Sequence, residues 1–272
     1  MPAAGLAERL DAAYSRLAPQ EQRAAEFMRA HLADLAVYNA TEVARLSGVS
    51  KATVSRLYRR LGFAGAEQLR EHVRALRATG EPVPGEAAAA HGAHLEQELT
   101  NMRQALAGVD PGPAARTIAR AGRVLVIGFR NSYPMALHLR QQLAQARGGV
   151  ELAPLPGQSL AEELAGLGAR DVVCLLGFRR RPEGFARLVA AIGRSPASLV
   201  LLVDPSGRRH AGGAEHALEC PIETASAFDS YAAPASLIGL LASQVLAETR
   251  RAGAERVRAI TAGYGALGEL EG

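Results

Sequence analysis

Residues 41–62, TEVARLSGVSKATVSRLYRRLG, decide how the N-terminal third of the chain folds. They predict two short helices joined by a tight turn. Thr41 stands where an N-cap hydroxyl would accept from a first-turn amide. Val43, Ala44 and Leu46 give the first helix an apolar face. Gly48 supplies the backbone freedom that a sharp helix–helix turn needs, and Val49 plugs that turn. Ser50 is the cap of the second helix, in which Val54, Leu57 and Leu61 recur at helical spacing and are expected inside. The other side of that helix carries Lys51, Ala52, Thr53, Ser55, Arg56, Arg59 and Arg60.

This is the pattern of a DNA-binding helix-turn-helix. Its second helix presents N-terminal side chains to base edges in the major groove, while basic residues further along hold phosphates. Ser50, Lys51, Ala52, Thr53, Ser55, Arg56, Arg59 and Arg60 are the candidate DNA-binding residues. From position 43 to 66 the basic residues are Arg45, Lys51, Arg56, Arg59 and Arg60, and no acidic residue intervenes. The competing reading is a solvated amphipathic helix pair in an all-α domain. Turn chemistry, apolar spacing and charge agree on the DNA-binding one.

Upstream, Leu6, Leu10, Ala13, Tyr14 and Leu17 form one apolar stripe. Pro19 opens a second helix with Ala24, Phe27, Met28 and Leu32 on its inner face. Downstream, Gly62 ends the recognition helix, Phe63 anchors the chain, and a last helix is expected over about 66–76. The result is a bundle of five helices. The run 17–74, and the segment VSKATVSRLYRRLGFAG within it, resembles the N-terminal domain of RpiR/MurR-type bacterial transcriptional regulators. That resemblance implies a second domain that senses a sugar phosphate or a related metabolite.

Charge separates the two parts. Residues 1–80 hold 12 Lys+Arg and 8 Asp+Glu, a balance of +4, whereas residues 81–272 hold 19 of each. The whole excess of the +4 chain lies beside the helix-turn-helix, which favours a polyanionic partner for that part alone. Length 272 with 48% hydrophobic and 21% charged residues suits two modest globular domains. No apolar run approaches the roughly 20 residues of a membrane span, so no membrane partner is expected. Glu8, Arg9 and Asp11 interrupt any signal-peptide pattern, and a cytoplasmic protein is expected. Cys174 and Cys220 lie in apolar strand-like segments and read as buried thiols.

Residues 78–92 are rich in Pro, Gly and Ala, a linker by composition. The domains are thus 1–77, the linker 78–92, and 93–272. Leu95, Leu99, Met102 and Leu106 then mark a helix that serves either as a dimer helix or as plain core. From 118 onward short apolar strands (123–128, 149–154, 171–177, 198–204 and 214–220) alternate with helices. Such alternation predicts a five-stranded parallel sheet flanked by helices, with ligands at the strand C-terminal ends. Over about 110–250 the order resembles an SIS (sugar isomerase) domain. The resemblance is clearest at GFRNS, residues 128–132, where Ser132 matches the family's ligand-facing serine.

Two strand-to-helix loops share the pattern Gly-Phe-Arg. In the first, Gly128, Arg130, Asn131 and Ser132 are the candidates, because amides at a helix start and the Ser132 hydroxyl favour an anion. The second carries Arg179, Arg180 and Arg181 before Pro182, read as the start of the next helix. The SIS resemblance implies a serine- and threonine-rich phosphate loop here, and three arginines stand in its place. Arginines grip phosphate or carboxylate bidentately, or else lie exposed and aid solubility. A third segment, 223–234, adds Ser226 and Ser230, placed either to close the cleft or to cap the following helix.

Isomerisation needs a general base, and neither of the first two loops contains Glu, Asp or His. Glu223, Asp229 and His210 lie elsewhere and form no convincing acid–base pair, so no catalytic residue is assigned. His91 and His94 alone have close spacing, which does not make a metal site; no metal or cofactor is expected. The reading is a regulator with a double-stranded DNA operator and a small anionic effector, a sugar phosphate or a carboxylate-bearing compound, as a homodimer or homotetramer. The alternatives are a sugar-phosphate isomerase with an accessory helical domain, and a module whose bundle meets protein rather than DNA.

Overall fold

The computed structural model describes residues 6–32, 35, 38–79, 91–224 and 228–270. They divide into two compact units: residues 1–97 with 223–229, and residues 98–222 with 230–272.

The first unit is built from α1 (Leu6–Tyr14), α2 (Pro19–Ala30), α3 (Ala40–Ser47), α4 (Lys51–Arg60) and α5 (Ala66–Thr79). Pro19 opens α2, where its missing amide costs nothing. The cap of α3 is Asn39, not Thr41. The Asn39 carboxamide accepts from the Thr41 and Glu42 amides at 2.9 and 3.0 Å, and the Glu42 carboxylate accepts from the Asn39 amide at 2.7 Å. Thr41 lacks an acid or amide three residues on, so it has no reciprocal partner; Asn39 has one.

Gly48 takes the left-handed conformation, φ 69°, and its amide closes on the Ala44 and Arg45 carbonyls. Ser50 then caps α4, its hydroxyl accepting from the Thr53 amide at 3.1 Å. Val43, Val54, Leu57 and Tyr58 fill the core with Leu10, Met28 and Leu69. Leu46, expected inside, is 41% exposed.

A sixth helix, α6 (His91–Ala107), crosses the division between the units. Residues 80–90 lie outside the described residues.

The second unit runs α7 (Gly112–Arg120), β1 (Val124–Gly128), α8 (Ser132–Ala146), β2 (Val150–Ala153), α9 (Leu160–Ala165), β3 (Val172–Gly177) and α10 (Phe185–Arg194). It continues with β4 (Ser198–Val203), a 3-10 helix (Pro205–Gly213), β5 (His216–Glu219) and α11 (Ala232–Leu267). All five strands pair in parallel in the order β2-β1-β3-β4-β5. β1 and β3 are buried along their whole length, which is why they read as continuous apolar runs. α7, α8 and α11 cover one face, through Ile118, Leu139, Leu143, Leu237 and Leu241; α9 and α10 cover the other, through Leu164, Phe185, Val189 and Ile192.

Several boundaries move: the expected linker 78–92 is helical at 78–79 and 91–92, and β2 is the shorter Val150–Ala153. α10 begins at Phe185, not at Pro182, and β5 is the shorter His216–Glu219. α11 is long and apolar enough by composition to cross a bilayer, at a hydropathy of 1.2, contrary to the expected lack of such a run. Its Ala, Ser and Gly content dilutes the pattern. Leu237, Ile238, Leu241 and Val245 of this helix are fully buried in the core. The backbone leaves helical geometry at Arg250, φ 51°.

Sheet order places the site. β1 lies between β2 and β3, so the chain leaves β1 toward one side and returns on the other. The C-terminal ends of β1 and β3 therefore flank the switch point, where open parallel sheets bind ligands. Both Gly-Phe-Arg loops follow those two strands.

Candidate nucleic-acid interface and effector site

On α4 the face away from the core carries Lys51, Ala52, Arg56 and Arg59 exposed, with Ser55 half-buried. Thr53, expected on this face, is 5% exposed. Its hydroxyl sits 2.9 Å from that of Ser50 and accepts from the Arg56 guanidinium at 3.4 Å. Its place is structural because Ser50 caps the helix through the Thr53 amide and draws that side chain inward.

Arg60, expected on DNA phosphate, is directed elsewhere. Its Nη1 donates to the Arg16 carbonyl at 2.9 Å and its Nε lies 3.4 Å from the carboxylate of Glu21. Glu21 is 3% exposed and also accepts from the Ala18 amide at 3.0 Å at the start of α2. Arg60 thus pins the C-terminal end of α4 to α2.

Arg9, which the sequence reading passed over, does the same from α1. Its Nη1 donates to the Leu61 carbonyl at 3.1 Å, and its guanidinium lies 4.9 Å from the Phe63 ring centre. No sequence signal marks that role, since the contact spans 52 positions.

Lys51, Arg56 and Arg59 form no ion pair among the described residues, and the N-terminus of α4 adds its dipole. The inner face stays uncharged. Burial pushes the Tyr58 phenol up to about 12. Burial, with Arg9 as the smaller cause, pulls the His72 imidazole below its ordinary value.

In the second unit Gly128 ends β1. A side chain there would meet Ala136 Cβ and the Ser132 carbonyl at 2.7 Å, so glycine lets α8 sit directly on the strand. Arg130 turns through φ 51° and is exposed, as is Asn131.

The first-turn amides expected to meet an anion point back. Ser132 N–H donates to the Phe129 carbonyl at 2.9 Å and Tyr133 N–H to the Arg130 carbonyl at 3.0 Å; Pro134 has none. Ser132 itself is 3% exposed, and its hydroxyl accepts from the Phe178 amide at 3.1 Å. The serine thus ties the β1–α8 loop to the β3–α10 loop. The Arg130 and Asn131 side chains are exposed donors at the first loop.

The three arginines of the second loop are unlike one another. Arg180 is exposed. Arg179 is 8% exposed; its amide donates to Asp204 at 3.0 Å and its carbonyl accepts from the Tyr231 hydroxyl at 3.4 Å. Arg181 donates to the Gly177 carbonyl at 2.7 Å and forms an ion pair with Asp204 at 2.5 Å, its side chain 9% exposed. None stands at a helix start, because Pro182 and Glu183 precede Gly184, the residue at the N-cap of α10.

Ser230 accepts from the Ala232 amide at 3.2 Å, a local turn one residue before Tyr231, the N-cap of α11. Ser226 lies outside the described residues. His210 stacks edge-on against Phe185. Burial, then Arg209 and Arg181, hold its imidazole below the ordinary value. Burial pushes the Cys174 and Cys220 thiols up to about 12, as expected of inert core thiols.

Residues 4–79 match the family described as helix-turn-helix domain, rpiR family. The N-terminal unit therefore carries an rpiR-family helix-turn-helix domain. No curated protein matches the chain. Among solved structures, the sugar isomerase domain of an RpiR transcription factor from Sphaerobacter thermophilus is 19% identical. That match covers 62% of this chain and 96% of its own, at a TM-score of 0.57. The Vibrio vulnificus NanR protein complexed with ManNAc-6P is 15% identical, covers 97% of this chain and 99% of its own, and scores 0.58. These likenesses give the fold: a helix-turn-helix region followed by an SIS-like α/β domain.

Proposed function

We propose that the chain is a transcriptional regulator whose α4 reads a double-stranded DNA operator and whose α/β unit binds a small anionic effector. The observation that carries the DNA half is the outer face of α4. A capped helix there presents Lys51, Arg56 and Arg59 without a neutralising carboxylate among the described residues. Arg56 stands one turn from the helix start, where side chains reach base edges, and Arg59 falls a turn further, where they reach phosphate. The test is a gel-shift titration across a salt series with an operator selected from random duplexes. Binding that weakens steeply with salt and drops in Arg56→Ala supports the reading; wild-type behaviour of Arg56→Ala and Arg59→Ala refutes it.

The effector is a sugar phosphate or a carboxylate-bearing compound. The structure of NanR with ManNAc-6P supports the first class. Its anionic group meets Arg130 and Arg180, exposed beside the ends of β1 and β3, with Asn131 orienting the remainder; Gly128, Ser132 and Ser230 shape the cleft.

The unit binds rather than catalyses: the β1–α8 loop carries no carboxylate or imidazole, and the one carboxylate of the β3–α10 loop, Glu183, is exposed rather than held in a buried pocket as a tuned general base would be. Turnover of a phosphosugar by the purified chain would refute that. The helix-turn-helix reads half-sites, so the working form is a homodimer or homotetramer in the cytoplasm. An effector changes DNA affinity through its different affinities for the two arrangements of the DNA-binding domains.

A further inference from the structure

Asp204 follows β4 directly, and its side chain is buried, 2% exposed. It is the N-cap of the 3-10 helix, and the donors that meet it among the described residues are of the kinds an anion would use. Oδ1 accepts from the Arg179 amide at 3.0 Å and from the Arg181 guanidinium at 2.5 Å. Oδ2 accepts from the Ser206 amide at 3.1 Å and from the Ser206 hydroxyl at 2.5 Å. Two amides, one guanidinium and one hydroxyl converge on two oxygens. That is the donor set with which proteins hold a bound phosphate or carboxylate.

The site is rigid on its protein side. Arg181 is fixed by the Gly177 carbonyl at 2.7 Å, lies 6.0 Å from the Phe185 ring centre, and reaches Ser206 Oγ at 2.6 Å. It also has a mouth, because Ser206 is exposed.

We propose that the β3–α10 loop holds an anion-binding site that the chain fills with its own Asp204 carboxylate, so that an external phosphate or carboxylate finds it closed. A second anion brought beside Asp204 would place like charges a few ångströms apart where little water screens them, so occupancy is exclusive. Arg181, read from sequence as a ligand gripper, is instead the counter-ion of a resident anion. The inference needs nothing from the DNA-binding unit. It rests on the sensing reading only in assigning the effector's charged group to Arg130 and Arg180, outside this pocket.

The test titrates inorganic phosphate, against chloride at matched ionic strength, into the full chain and into Asp204→Ser, Asp204→Ser/Arg181→Met, Arg181→Met and Arg130→Ala. Heat of binding and melting temperature are read together. The expected result is a saturable phosphate-binding event in Asp204→Ser, with a rise in melting temperature, that wild type lacks at this loop and the double variant loses. A folded Asp204→Ser that gains no phosphate binding overturns the proposal. So does wild-type phosphate binding that Arg181→Met abolishes. If Asp204→Ser does not fold in chloride, recovery of the fold in phosphate supports the proposal and failure to recover overturns it. Wild-type phosphate binding that is lost in Arg130→Ala but kept in Arg181→Met belongs to the effector site and leaves the closed pocket intact.

Discussion

On α4 the Arg56 and Arg59 side chains are exposed and form no ion pair among the described residues, whereas in the β3–α10 loop the Arg181 side chain, 9% exposed, pairs with Asp204 at 2.5 Å. Both segments are arginine-rich, and both invite the reading of an anion site. The difference lies in the carboxylate. No acidic residue falls between positions 43 and 66, and the acid that reaches the end of α4, Glu21, takes Arg60 alone. In the second loop the acid comes from the residue after β4, 23 positions away in sequence, and takes the guanidinium that the loop presents. A cluster of arginines is an anion site only where the fold leaves it without a resident anion.

That contrast can be broken most forcefully at Asp204. Replacing it with Ala in an anion-free buffer leaves the partly buried Arg181 without its carboxylate, and urea denaturation should show a loss of about 3 kcal/mol. Adding Arg181→Met should recover most of it. If the single variant loses less than the double, the pair does not hold the loop.

The next effect is on DNA. Arg56→Ala should weaken operator binding by about 1–3 kcal/mol and relax sequence preference at one position, as gel-shift titration against substituted operators would reveal. Arg59 and Arg60 sharpen the same comparison within one helix. Arg59→Ala should reduce the salt slope by about 1. Arg60→Ala should leave the slope unchanged and cost about 1 kcal/mol of stability, since the Arg60 guanidinium is itself half exposed although its partner Glu21 is buried.

Of similar size is Asn39→Ala, expected to cost about 1 kcal/mol because two α3 amides lose their acceptor. Thr41→Ala should cost less. The reverse order in thermal denaturation would restore Thr41 as the cap.

The smallest effect is that of pH. The folded chain holds His72 below the ordinary imidazole value, chiefly through burial. The unfolded chain therefore takes up the proton first. This contribution to stability is present above about 6.5 and is lost as pH falls through and below it. His210 acts in the same direction. The acid-side fall in melting temperature should flatten in His72→Gln, and an unchanged profile would assign it to other groups.

Periodicity carried most of the fold. Val54, Leu57 and Leu61 at helical spacing, Gly48 between two apolar stretches, and five apolar runs separated by helical patterns each correspond to an observed element. These features are local, so they are legible in one sequence. The cap of α3 was equally legible, in Asn39 and Glu42, and was missed because Thr41 stands nearer the apolar residues. The start of α10 was misplaced because proline favours a first turn without requiring one. The roles of Arg9, Arg60, Arg181 and Ser132 were not legible at all. Each depends on a partner 25 or more positions away or on a residue of another element: the Leu61 carbonyl, Glu21, Asp204 and the Phe178 amide.

The sequence by itself determined that an rpiR-type helix-turn-helix precedes a parallel α/β unit, and that the excess positive charge belongs to the first 80 residues. Spacing, turn glycines and charge counts are properties of neighbours along the chain. Only the tertiary structure decided which cations remain available, because pairing depends on which carboxylates the fold brings within reach. It left Arg56 and Arg59 exposed, turned Arg60 into a brace, and closed Arg181 around Asp204.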